Sequence, residues 1–133
     1  MVQKKVIKEV DAVIAIISRD RNYFIQKRPP KGLLADLWEV PGGKIEKGET
    51  PQQALKREVK EELNTNVIKL KPLGRVIHFY TQFKVILNVF QTEIDAPPQT
   101  DLQHKWVSTQ HLTRYAMPSG SAKIVEMLQK QDH

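Results

Sequence analysis

The chain has no cysteine. That excludes a disulfide scaffold, a thiolate zinc site and a cysteine nucleophile, and it fits a reducing compartment. No apolar run approaches the roughly 20 residues needed to span a bilayer. The opening Met1-Val2-Gln3-Lys4-Lys5-Val6 is charged and then strand-like. It lacks the apolar stretch and small-residue cleavage site of a secretion signal, so a cytoplasmic protein is expected. Internal repeats, linkers and low-complexity segments are also missing. The 133 residues suit one compact domain over 1–133, long enough to bury a core and carry a pocket.

Acidic excess is absent too: the net charge is +6 and the isoelectric point about 9.6. Such a balance can attract nucleic acid, attract a small polyanion, or simply reflect solvated lysines. The positive charges are scattered, at 4, 5, 8, 27, 28, 31, 56, 57, 60, 69 and 71 among others. They form no dense basic tract interleaved with aromatics. A small polyanion or plain solubility is favoured over a nucleic-acid partner.

Residues 6–17 are rich in Val and Ile and read as a buried strand. A turn at 18–22 leads to a second strand at 23–28, which Pro29 and Pro30 stop. Residues 30–38 read as a loop, and 39–45 as a short extended stretch broken by Gly42 and Gly43. A helix is expected over 50–63. Thr50 suits the N-cap, Pro51 the first helical position, and Gln53 completes a capping box. Asn64 tolerates the left-handed backbone that commonly follows a helix. Strands are expected at 67–76, 78–80, 83–93 and 105–107. Ser108 or Thr109 would cap a short helix through Tyr115. Ser119 or Ser121 would cap a last helix that turns Ile124, Val125 and Leu128 inward. This order points to an α/β (α+β) fold, a mixed sheet covered by helices on both faces.

The chemistry concentrates in the helix at 50–63. With about 100° between successive residues, Leu55, Val59 and Leu63 form one stripe that must face the core. Glu58, Glu61 and Glu62 share the arc beside it. Like charges three and four residues apart repel, and partial burial makes this worse. A compensating positive group is needed: Arg57 is one candidate, and a hard divalent cation such as Mg²⁺ or Mn²⁺ is another. For an arbitrary helix, a solvated acidic face paired with lysines would be the better reading. Here Gly42 and Gly43 lie upstream, where backbone can approach a ligand without a side chain in the way.

The stretch Gly42-Gly43-Lys44-Ile45-Glu46-Lys47-Gly48-Glu49 through Arg57-Glu58-Val59-Lys60-Glu61-Glu62-Leu63 resembles the Nudix box. Gly43, Glu49, Arg57, Glu58, Val59, Glu61 and Glu62 match it in register. Asn64 stands for the box's last glycine and Thr65 for its last aliphatic residue, with Val67 as a substitute apolar contact. Residues 24–28, 37–44 and 105–108 are similar to the MutT-like subgroup, so the likeness covers nearly the whole chain. It implies an α/β/α Nudix sandwich with a central mixed sheet, and a hydrolase that cleaves a nucleoside triphosphate to the monophosphate and pyrophosphate.

The resemblance also implies roles. Glu58, Glu61 and Glu62 would ligate Mg²⁺ or Mn²⁺ with the Gly43 carbonyl nearby, and either Glu58 or Glu61 would activate water. Arg57 and Glu49 would hold the loop–helix geometry. Asp101 is a candidate further acidic ligand, with a plain loop residue as the equal alternative. Lys27, Arg28 and Lys44 are candidates for phosphate oxygens beside Gly42. His78, Tyr80 and Gln82 are candidates to stack on or read a base. Met117, Ser119 and Gly120 lie where the subgroup covers or reads it, and Gly120 or Ser119 stands in place of an Asn that reads oxidised guanine. A small-molecule nucleotide is the expected partner, with no membrane and a monomer or homodimer.

Two other readings follow from the same likeness. The C-terminal domain of MutY-type adenine glycosylases shares the fold without the box and recognises oxidised guanine in DNA. A Nudix enzyme for CTP or a nucleoside diphosphate derivative would keep the same box.

Overall fold

The computed structural model describes residues 8–32 and 34–131. Val6 and Ile7, expected in the first strand, lie outside the described residues. Two four-stranded sheets form. In the first, β1 (Lys8–Ile16) runs parallel to β7 (Phe83–Ile94) in a register from Lys8↔Phe83 to Ile16↔Gln91. The short β5 (Gly42–Lys44) pairs antiparallel on the other side of β1, and the long β6 (Val67–Phe79) pairs antiparallel with β7. The order β5-β1-β7-β6 is therefore mixed, as expected. In the second sheet, β3 (Asn22–Lys27) pairs with β2 (Ser18–Arg19), β4 (Trp38–Glu39) and β8 (His104–Ser108).

The strand period of two decides how the layers stack. Along β1, Ala12 and Ile16 enter one apolar cluster, whereas Val13 and Ala15 enter the other. One cluster is closed by α3 (Ser119–Gln131) through Ile124, Val125 and Leu128. The other is closed by α1 (Pro51–Leu63) through Ala54, Leu55, Val59 and Leu63. Each fully buried Leu or Val adds about 1.5–3 kcal/mol relative to exposure. Helices thus cover both faces, because β1 is apolar on both.

The α1 boundaries match their local signals. Thr50 accepts from the Gln53 amide, Gln53 reciprocates, and Asn64 sits in the left-handed region at φ 52°. Elsewhere the elements differ from the sequence expectation. The turn after β2 is tighter, with Asp20 and Arg21 both at positive φ, as a two-residue hairpin requires. β6 does not break near Ile77; its irregularities fall between Val67 and Lys69 and between Pro72 and Gly74. Pro72 is tolerated because β6 is an edge strand. The helix after β8, α2, spans only Thr109–Leu112. Ser108 stands at its N-cap, but its hydroxyl bonds the His111 ring at 3.0 Å instead of a backbone amide. Neither Ser119 nor Ser121 is a cap; α3 begins at Ser119 and the Ala122 amide donates to the Pro118 carbonyl. No helix among the described residues is long and apolar enough to cross a membrane.

Candidate active site

The approach to α1 is tied down by one side chain. Arg57 grips Glu49 through Nε to Oε2 at 2.8 Å and Nη2 to Oε1 at 2.9 Å. Its Nη2 also donates to the Lys44 carbonyl at 3.0 Å, and its Nη1 to Glu58 Oε1 at 2.8 Å. Glu49 in turn accepts from the Glu46 amide at 2.8 Å. The end of β5, the loop and the first turns of α1 are therefore one clamped unit. The Arg57 bond, then the Glu46 amide, holds the Glu49 carboxyl below its ordinary range. The hydrogen bonds to Glu49 first and then to Glu58 push Arg57 further above its own range. Arg57 and Glu49, expected to hold the loop–helix geometry, bond each other, and Arg57 also bonds the Lys44 carbonyl and Glu58.

Within the acidic trio the three side chains have different surroundings. Glu62 lies nearest the apolar stripe, about 40° from Glu58, whereas Glu61 falls about 60° to the other side of Glu58. Glu62 is pushed up to about 8 by burial first, then by the adjacent Glu58 carboxylate, to which it hydrogen-bonds, and by Glu39. The Gln26 amide donates to Glu62 Oε2 at 3.0 Å and opposes that rise. Glu58 stands against Gly43: a Cβ at that position would collide with its carboxylate. Glu61 instead bonds Arg57 Nη1 at 3.3 Å and keeps 60% of its side chain exposed. Glu58 and Glu62 thus meet, while Glu61 is linked to Glu58 through Arg57 Nη1, which donates to both. Among the described residues no three acidic or imidazole groups stand pre-arranged for a metal ion.

The Glu58–Glu62 pair nonetheless fits a hard divalent cation. Two carboxyls in contact must share a proton or a cation, and the buried Gln26 Oε1 beside them has no hydrogen-bond partner. Oxygen donors of this kind suit Mg²⁺ or Mn²⁺.

A cleft of about 180 Å³ opens beside Gly42 and Gly43. His78, Tyr80 and Gly120 line it, together with Glu39 and Ser121, which sequence reasoning did not select. Tyr80 stacks on Phe83 with centroids 4.8 Å apart and meets His78 edge-on at 4.6 Å. Gly120 is buried there, with Leu87 and the Tyr80 hydroxyl nearest to where its Cβ would be. Larger grooves of about 280 Å³ and 550 Å³ lie elsewhere, and neither is lined by any residue of 39–43. We place the site at the smaller cleft because the carboxylates adjoin it.

Several candidates lie outside this cleft. Gln82 is exposed at the tip between β6 and β7, and Ser119 is exposed at the start of α3. Met117 packs on the core cluster closed by α3, the gap-filling alternative to a base contact. Arg28 is paired with Glu39 Oε2 at 3.0 Å, so it is not a free phosphate contact. Lys27 pairs with Trp38 in the β3–β4 ladder, and the Lys44 side chain is exposed at the end of β5. Asp101 is exposed on the loop between Gln99, whose amide bonds Leu63 O, and Gln103, whose carbonyl accepts from Lys27.

Sequence reasoning missed Gln26 and Glu39. Strand parity offered a signal for Gln26: it lies on the Phe24 side of β3, and Phe24 joins the cluster closed by α1. Nothing local marked Glu39.

This architecture, a mixed sheet between helices with a clamped loop leading into a carboxylate-edged helix, defines a class, and comparison with known proteins agrees with it. The NUDIX domain family model matches residues 12–127, and the chain belongs to that family, as a hydrolase of the MutT-like kind. An 8-oxo-dGTP diphosphatase of Haemophilus influenzae is 30% identical over 95% of this chain and 96% of its own. A CTP pyrophosphohydrolase of Escherichia coli is 37% identical over 55% of this chain and 60% of its own. The solution structure of the E. coli ORF135 protein superposes with a TM-score of 0.82 at 26% identity, covering 93% of this chain and 91% of that one.

Proposed function

We propose that this protein is a Mg²⁺-dependent pyrophosphohydrolase that converts a nucleoside triphosphate, or its deoxy form, to the monophosphate and pyrophosphate. The observation that carries the reading is the contact between Glu58 and Glu62 beside a cleft walled by Gly43, His78 and Tyr80. A triphosphate and this acidic edge cannot meet bare. A bound divalent cation would bridge them, polarise phosphoryl oxygens and acidify bound water. Glu58 and Glu62, with the Gly43 backbone, would hold it; Mn²⁺ suits the same oxygens.

The chain's own groups then divide the work. Arg57 keeps the loop and helix in one geometry and leaves Glu58 facing Gly43. Glu61, exposed and held by one 3.3 Å bond, is free to swing toward the phosphates and take a proton from the attacking water. Lys44, exposed at the end of β5 beside Gly43, is a cation for the outer phosphate oxygens. The likeness to 8-oxo-dGTP diphosphatases supports an oxidised guanine nucleotide and a part in cleansing the nucleotide pool. The likeness to a CTP pyrophosphohydrolase supports a cytosine nucleotide.

A second reading is a binding module for oxidised guanine in DNA. A mouse adenine DNA glycosylase is 30% identical over 83% of this chain but 22% of its own length. A pure module has no need of paired carboxylates at a packed helix edge, so the enzyme is preferred.

The test is pyrophosphate release from 8-oxo-dGTP, dGTP and CTP, with Mg²⁺ and with chelator. Release that needs the metal is expected, and none from any nucleotide would favour the binding module. Glu61→Gln should abolish turnover with the fold intact; persistent turnover moves water activation to Glu58.

A further inference from the structure

The cleft holds an acidic side chain outside the trio, near enough to Glu62 to act on it but given no part in the proposed hydrolysis. Glu39 lines it alongside His78, Tyr80 and Gly120. Arg28 Nη1 donates to Glu39 Oε2 at 3.0 Å, and 27% of the Glu39 side chain remains exposed. Among the described residues Glu39 Oε1 has no hydrogen-bond partner. Close by, His78 Nδ1 is buried with none.

Resting on the nucleotide-hydrolase reading, we infer that Glu39 sets base preference: its free oxygen accepts from the exocyclic amino group of the base, so the cleft selects amino-bearing bases over uracil- and thymine-type bases. An ionised carboxylate is an acceptor only. It therefore matches an amino group and opposes a carbonyl oxygen, as carboxylates do when they read the cytosine amino group in nucleic acids. The Arg28 ion pair offsets the Glu39 charge, so an anionic nucleotide is not driven off. A uracil carbonyl in the same place would leave two acceptors facing each other out of water, the arrangement by which polar sites reject a substrate lacking the matching group.

The walls support a fixed reading distance. Tyr80 is held between Phe83 and His78 by ring contacts of 4.8 Å and 4.6 Å. Gly120 keeps α3 from filling the space, since a Cβ there would press on Leu87 Cδ1 at 3.2 Å.

The experiment compares dCTP with dUTP, which differ at this amino position. kcat/KM on the full chain with Mg²⁺ should favour dCTP by about tenfold or more. Calorimetric binding of the α,β-methylene analogues should show the same preference without turnover. Glu39→Gln, which can also donate, should bring both ratios close to one while the far-ultraviolet spectrum stays unchanged. Equal use of dCTP and dUTP, or a preference that survives Glu39→Gln, overturns the inference and leaves the hydrolase reading standing. Failure to bind either analogue overturns it too. Failure to hydrolyse any nucleotide counts separately, against the proposed function.

Discussion

The two ends of the cleft are built by opposite means. At the proposed phosphate end, the carboxylate trio and its clamp belong to one continuous stretch from Gly43 to Glu62, tied internally by Arg57 to Glu49, Glu58 and the Lys44 carbonyl. At the proposed base end, Glu39, the pair His78 and Tyr80, and Gly120 come from three separate segments, β4, the end of β6 and α3, brought together by sheet pairing and helix packing. The first end is rigid because its contacts are local, and it suits a chemistry shared by many relatives. The second changes whenever one distant residue changes, and it suits selection among bases.

Substitutions at the two ends should therefore separate rate from affinity. The largest effect is expected from Glu58→Gln, which should lower kcat by about 10²–10⁴-fold, the range for losing a group that acts on the reaction. A kcat within a few-fold of wild type would break the comparison at the phosphate end. At the base end, Gly120→Leu should fill the cleft against Leu87 and raise KM by about tenfold, roughly 1.4 kcal/mol of binding. Its kcat should stay close to wild type, and a fall in kcat alone would show that the two ends are not separable.

Next in size is a pH effect on the metal-free protein. Glu62 is held at about 8 by burial and by Glu58, against an ordinary value of 4.5. Between those pH values the folded chain keeps a proton that the unfolded chain has released. Stability should therefore fall as pH rises from about 5 to 8 and level off above that. Thermal melts should show the decline, Glu62→Gln should flatten it, and Mg²⁺ should offset it by stabilising the ionised form. A melt indifferent to pH would mean that Glu62 is not buried against Glu58. The smallest change is Thr50→Ala, which removes one half of the capping box and should cost about 1 kcal/mol in chemical denaturation with little effect on kcat.

How much of this was legible beforehand follows the same division. The cap at Thr50, the inward stripe of Leu55, Val59 and Leu63, and the left-handed Asn64 all stand as expected. The order of the trio was less legible. Angular position put Glu58, Glu61 and Glu62 on one arc, but Arg57 Nη1 stands between Glu58 and Glu61, whereas Glu62 is buried against Glu58. His78, Tyr80 and Gly120 were singled out and do share a cleft, whereas Gln82, Met117 and Ser119 were singled out beside them and do not line it. One or two residues along a strand or helix turn a side chain to another face, and local pattern does not say which face meets the cavity.

What the sequence alone determined is therefore α1 with its loop, since capping, helical periodicity and a bidentate Arg57–Glu49 pair depend on residues within a few turns of one another. What only the tertiary structure decided is the company α1 keeps: Gln26 on Glu62, Glu39 held by Arg28, and His78 beside Tyr80. Those meetings depend on β1 lying parallel to β7 at Ile14↔Val89 and on β3 lying against β4 at Gln26↔Glu39. Strand register between distant segments is set by burial of the whole sheet, which no short window of residues contains.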